Sequence, residues 1–265
     1  MRLLILSSAL LLLSACNRDD SAAPAGPEVN ESQAAGAAAT RAEASRVEEK
    51  DDLLEFTYSW PAEVSAIPAL ATRLAADRDA SRAKALKEAQ EDRAERPADA
   101  PFFPHSLNKK WVVAGNSPRL LSIDTELEFF TGGAHPNRLF ESIIWDRQSD
   151  REVQALDLFT SPTAARTAIT RLYCPALDRL RQEKRGDFTM PDGMPGTECP
   201  DLGKQRIVPT DTDSNGRFDT LVVKLPPYEA GPYAEGSYLV DLPATDEWIA
   251  MMKPEHRASF EAQGQ

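Results

Sequence analysis

The stretch Phe129-Phe130-Thr131-Gly132-Gly133-Ala134-His135-Pro136-Asn137 restricts the fold more than any other. A run with Leu121, Ile123, Leu127 and Phe129 on one face enters it, and a second apolar run, Leu139 to Trp145, leaves it. Paired glycines reach positive φ without a Cβ penalty, while Pro136 fixes its own φ and removes a backbone donor. The segment predicts a rigid, shaped loop between two strands, with Gly132, Gly133, His135 and Asn137 as candidate binding residues. His135 can bond the loop backbone, bind a metal or move a proton. No H-x-x-x-H or H-x-D spacing accompanies it, so the backbone role is the expected one.

Upstream, Leu54, Phe56, Tyr58 and Trp60 alternate with polar residues, the pattern of a half-buried strand that Pro61 ends. From Pro68 to Arg96 the spacing is helical, with Ile67, Leu70 and Leu74 on one face and charge on most sides of the second half. Pro97, Pro101 and Pro104 stop it, and Lys110 to Ala114 and Arg119 to Phe130 read as strands. Past a polar turn at Asp146 to Asp150, Ser161-Pro162 opens a helix with a capping hydroxyl and a proline at its first position. Ala168, Leu172, Leu177 and Leu180 are its expected buried face, Pro175 its kink and Gly186 its stop. Gln205 to Val208, Phe218 to Leu225 and Gly236 to Leu242 read as strands, and Thr245 to Met252 as a helix. Helices beside a mostly antiparallel sheet make an α+β fold, arranged as two intimately associated subdomains.

Met1-Arg2 and the apolar run Leu3 to Leu13 form a leader too short to span a bilayer as a stable helix. It ends in Leu13-Ser14-Ala15-Cys16, which resembles the lipobox of bacterial lipoproteins. The resemblance implies cleavage before Cys16 and acylation of its thiol, each buried CH₂ adding about 0.8 kcal/mol of membrane affinity. Asn17 after the anchor resembles outer-membrane sorting, so a periplasm-facing lipoprotein is expected. Residues 17–50, rich in Ala, Glu, Ser, Gly and Pro, read as a flexible linker reaching roughly 30 Å.

With Cys16 lipidated, Cys174 and Cys199 remain in an oxidising compartment, where a disulfide is the default. It would contribute about 3–4 kcal/mol; a redox-active pair would want C-x-x-C spacing. Removal of Arg2 leaves 29 basic against 42 acidic residues, a net charge of −13. That field disfavours nucleic acid and would speed encounter with a cationic partner, or simply keep the protein soluble.

Asp211-Thr212-Asp213-Ser214-Asn215-Gly216-Arg217-Phe218-Asp219 matches the first nine positions of a calcium loop, with Asp211, Asp213, Asn215 and Asp219 as ligands. Position 12 is Val222 instead of a bidentate glutamate, and Asn215-Gly216 is also a hairpin signal. Weak calcium is the one cofactor this pattern admits. No G-x-S-x-G elbow, P-loop or acid/base spacing marks a catalytic centre.

Three stretches together resemble a known family: Phe130 to Asn137; Ile144-Trp145-Asp146 running into Leu156-Asp157-Leu158-Phe159; and Leu225-Pro226-Pro227-Tyr228-Glu229-Ala230-Gly231-Pro232-Tyr233-Ala234-Glu235-Gly236. In order they are similar to tandem PdaC-like (residues 51–145) and RsiV-like (146–252) extracellular domains of unknown function, leaving 253–265 as a tail. The resemblance implies a cell-envelope recognition module; without an anti-sigma segment or a deacetylase domain, neither specific family role transfers. Tyr228 and Tyr233 then sit in a proline-stiffened corner, either as a recognition surface or as packing that hydrogen-bonds a carbonyl. The expectation is a non-catalytic, lipid-anchored binding or sensing module for cell-wall glycan or a cationic lysozyme-like protein. An inhibitor of such an enzyme and a peptidoglycan-modifying enzyme are the alternatives.

Overall fold

The computed structural model describes residues 42–263 except 192 and 195. Cys16, the leader and residues 17–41 of the linker lie outside the described residues. None of the described helices is long and apolar enough to cross a membrane.

The largest layer is a seven-stranded sheet. It contains β1 (Ser45–Lys50), β2 (Leu54–Trp60), β3 (His105–Lys110), β4 (Val112–Asn116), β5 (Leu120–Phe130), β6 (Asn137–Asp146) and β7 (Arg151–Val153). All its pairings are antiparallel except β2 with β3. That parallel pair is joined by a crossover through the short α1 (Ala62–Ser65) and the long α2 (Pro68–Glu95), as a parallel connection requires. β3 and β4 pair end to end along β5, interrupted at Trp111.

A three-stranded antiparallel sheet follows, in the order β10 (Tyr238–Pro243), β9 (Thr220–Leu225), β8 (Arg206–Thr210). It carries α3 (Pro162–Arg185), with α4 (Asp246–Met251) and α5 (Pro254–Arg257) closing the chain. The content is that of an α+β fold.

Alternation along β5 and β6 explains how one sheet serves two cores. Leu121, Ile123, Ile143 and Trp145 turn to the core under α2, beside Phe56, Tyr58 and Leu70. Leu120 and Ile144 turn the opposite way, into the core of the three-stranded sheet and α3 with Tyr173, Val223 and Trp248. The two cores therefore share the large sheet as a common wall.

Four elements differ from the sequence reading. Ser45–Lys50, read as the end of the linker, pairs with β2 as a polar edge strand. His105–Lys110 is a strand although Leu107 is its one apolar residue. The residues read as a tail bury His256, Ser259 and Phe260, the last 5.0 Å from Phe218 between ring centroids. On α3, Leu172 is exposed; the buried stripe is Ala165, Ile169, Tyr173, Ala176 and Leu177, continued by Arg181. The helix runs unbroken past Pro175, with Ser161 Oγ accepting from the Ala164 amide and Gly186 at φ 59 ending it.

Candidate functional site

The Gly132 loop and the Tyr228 to Gly236 corner, at the two ends of the sequence argument, meet in space. Gly132 supplies the left-handed backbone at φ 83, and a Cβ there would meet the Arg96 guanidinium at 2.7 Å. Of the two glycines, only Gly132 has positive φ, so Gly133 is not required by backbone strain. Asn137 opens β6 opposite Phe129.

His135 leaves this loop and lays its ring on Tyr233, with centroids 3.7 Å apart and planes 19° from parallel. Tyr228 tilts against Tyr233 at 5.6 Å. The Tyr233 hydroxyl donates to the Pro136 carbonyl at 2.9 Å, and His135 Nδ1 lies 3.0 Å from the same oxygen. A carbonyl only accepts, so Nδ1 carries the proton and Nε2 is left to accept from the Tyr228 hydroxyl at 3.4 Å. The expected backbone bond of His135 and the carbonyl bond of a corner tyrosine are both present.

Tyr228 is held at φ 74, a conformation that costs a bulky side chain free energy and persists only where its surroundings enforce it. The ring is nonetheless 59% exposed, so this strain is not offset by burying the side chain. What enforces it lies behind the corner, in residues that sequence reasoning did not single out. Arg181, buried on α3, donates through Nε to the Ala230 carbonyl at 2.9 Å and through Nη2 to the Glu198 carbonyl at 2.8 Å. Arg185 grips the Glu235 carboxylate from Nε at 2.8 Å and Nη2 at 2.9 Å, and Lys184 donates to the carbonyls of Glu235 and Ser237. Burial works to raise the pKa of Glu235, but the bonds from Arg185 and Tyr238 outweigh it and hold the group below the usual carboxylate range. A row of cations in the last turns of a helix is the only signal for this role in the sequence, and it reads equally well as a helix C-terminus.

The Cys174–Cys199 disulfide is formed, with Cα atoms 5.6 Å apart. It fastens the loop after α3, which then reaches the corner: a Cβ on Gly196 would lie 2.6 Å from Gly231 Cα.

The proposed calcium ligands bond within their own loop. Asp211 accepts from the amides of Asn215 and Gly216 at 3.1 and 2.8 Å, while Asp213 accepts from Asn215. Asp219, buried, takes the amide and hydroxyl of Thr212. These are the bonds of a connection between antiparallel β8 and β9, with Ser214 and Gly216 at positive φ, which is the hairpin reading. Among the described residues no three His, Cys, Asp or Glu side chains are arranged to hold a metal ion.

Comparison with known proteins locates the first half of this assembly. No curated protein matches the chain. Solved structures similar to it include a DUF3298 family member from Bacteroides fragilis, at 16% identity, and a DUF3298 family protein from Pseudomonas aeruginosa, at 15%. The first covers 82% of this chain and 95% of its own at a TM-score of 0.49; the second, 83% and 97%, also at 0.49. Residues 47–138, from β1 through the Gly132 loop to the start of β6, match the family model described as Deacetylase PdaC.

Proposed function

We propose that this chain is a non-catalytic recognition module of the bacterial cell envelope, with His135, Tyr228 and Tyr233 as its contact surface. The observation that carries the reading is Tyr228: an exposed aromatic ring on strained backbone, backed by a stacked His135–Tyr233 pair. Rigid amphipathic rings bind at low entropic cost, because little side-chain freedom is lost on contact. The exposed Tyr228 ring suits the C–H faces of cell-wall sugars. Acylation of Cys16 would tether the module, facing the periplasm, to the outer membrane. The match of residues 47–138 to the family model described as Deacetylase PdaC supports the resemblance on which the envelope reading rests.

Co-sedimentation of the full chain with insoluble peptidoglycan tests this. Wild type is expected in the pellet, and Tyr228→Ala or Tyr233→Ala in the supernatant. Equal pelleting of wild type and variants removes these residues from recognition, and a change in muropeptide masses during incubation makes the chain an enzyme.

The net charge of −12 supports a second reading, a cationic muramidase as partner. In that case the chain binds or inhibits the enzyme with an affinity that falls steeply with salt, and peptidoglycan alone does not retain it.

A further inference from the structure

A cleft of about 590 Å³ opens where α2, β6, β8 and the turn after β7 come together, and neither His135, Tyr228 nor Tyr233 lines it. Its inner end is built on a buried cation. Lys109, 3% exposed, points from β3 with its ammonium 2.8 Å from Asp77 Oδ2 and 2.8 Å from Glu141 Oε2. The ammonium also lies 5.3 Å from the ring of Trp111. Trp111 Nε1 donates to the Tyr58 hydroxyl at 2.9 Å, and that hydroxyl donates to Asp77 Oδ2 at 2.6 Å. Burial and the bond to Asp77 push the Tyr58 phenol up, so it remains a neutral donor.

Every donor in this network ends on one oxygen of each carboxylate. Asp77 Oδ1 and Glu141 Oε1 have no hydrogen-bond partner among the described residues, and both residues line the cleft while their side chains are more than a third exposed. Thr125, directly across from Glu141 in the strand register and fully buried, likewise leaves its hydroxyl without a partner. One positive charge between two negative ones leaves a net negative end, fixed in position from below. Burying an ammonium gains little stability over an apolar side chain, so Lys109 makes most sense as the clamp that sets these two acceptors.

The cleft also has a positive side. Arg206, exposed on β8, uses only Nε internally, on the Phe140 carbonyl at 3.3 Å, and no carboxylate among the described residues pairs with it. Arg73, by contrast, is neutralised by Glu152 at the rim. The lining thus offers acceptors with net negative charge and an unpaired planar guanidinium, which matches carboxylate in a bidentate geometry.

We propose that this cleft binds a small zwitterion of the amino-acid or short-peptide class, its ammonium on Asp77 and Glu141 and its carboxylate on Arg206. The site does not depend on the aromatic corner, so His135→Ala leaves it intact.

Isothermal titration of the full chain with alanyl-alanine, its N-acetyl form and its C-terminal amide tests the assignment. The free dipeptide binds, and capping either end weakens binding about tenfold or more, the cost of losing a charge-assisted hydrogen bond. Arg206→Gln weakens the free dipeptide and abolishes the difference between it and its amide; Glu141→Gln does the same for N-acetylation. Should Glu141→Gln fail to fold, the capped peptides and the surface substitution at Arg206 still decide. No heat from the free dipeptide at about 10 mM, where even millimolar affinity registers, overturns the proposal. Equal affinity for free and capped forms overturns it as well.

Discussion

Nε of Arg181 lies 2.9 Å from the carbonyl oxygen of Ala230, so a buried cation of α3 is bonded to the backbone of the Pro-Tyr corner. The same guanidinium reaches the Glu198 carbonyl, beside the disulfide. The exposed ring of Tyr228 and the half-buried ring of Tyr233 therefore rest on a support that begins with a helix and a covalent bond.

Arg181→Ala removes the guanidinium donor to the Glu198 carbonyl and leaves the Ala230 carbonyl only the longer contact from Arg185 Nη2 at 3.4 Å. Each unsatisfied buried group costs about 1–3 kcal/mol, so a loss of about 3 kcal/mol is expected from urea denaturation. The corner should also lose order, seen as a fall in the tyrosine near-ultraviolet dichroism of the folded protein. A loss below about 0.5 kcal/mol, the scale of ordinary surface changes, would mean the corner stands without this residue.

Reduction of Cys174–Cys199 frees a loop closed over a sequence separation of 25 residues. The loop-entropy relation puts the loss at about 3.5 kcal/mol. The Cys174→Ser/Cys199→Ser variant should show it in denaturant unfolding, and added reductant should lower the wild type to the same midpoint and leave the variant where it is.

Gly196 and Gly133 give opposite outcomes for the same substitution. At Gly196 a Cβ would lie 2.6 Å from Gly231 Cα on backbone of φ 85, so Gly196→Ala is expected to cost about 3 kcal/mol. At Gly133 a Cβ meets nothing within 4 Å, and Gly133→Ala should stay within about 0.5 kcal/mol of wild type. Thermal melts of the two variants side by side make the comparison.

Mild acid should weaken the fold through His256, which is 4% exposed. Burial, then the nearby charge of Arg119, holds its pKa below the ordinary 6.5, partly opposed by Asp146 and Glu255. The unfolded chain then binds a proton that the folded chain refuses. The contribution is complete above about pH 6.5 and is lost as pH falls below it. Asp146 has the opposite shift: burial works to raise its pKa, but Arg119 and the Gln148 amide outweigh it, so its contribution is lost only in the acid range of carboxylates. Urea midpoints should thus fall between pH 7 and 5.5 in wild type, with the slope removed in His256→Asn.

Where apolar periodicity and burial coincide, the fold was legible. The alternation of Leu54, Phe56, Tyr58 and Trp60, and the Ser161-Pro162 helix start, survive unchanged. Where burial is achieved by charge pairing, periodicity says nothing. Nothing in the sequence marks His105–Lys110 as a strand, because its buried residues are His105 and Lys109, the latter made tolerable by Asp77 and Glu141 from two distant elements. Ser45–Lys50 was missed for a related reason: it is an edge strand with ion pairs from Glu49 to Arg82 and from Lys50 to Glu55, and such strands carry little apolar signal. Local chemistry pointed to His135, Tyr228 and Tyr233, yet nothing local could bring them together. Their meeting depends on long-range packing, as do the supporting roles of Arg181 and Arg185.

The central claim is that the Gly132 loop and the Tyr228 corner act as one recognition surface. A double-mutant cycle on peptidoglycan co-sedimentation tests it most directly, using His135→Ala, Tyr233→Ala and the pair together. The account predicts that each single change releases the protein from the pellet and that the double variant loses no more than either alone. Full retention of all three variants, or fully additive losses from two independent contacts, would contradict it.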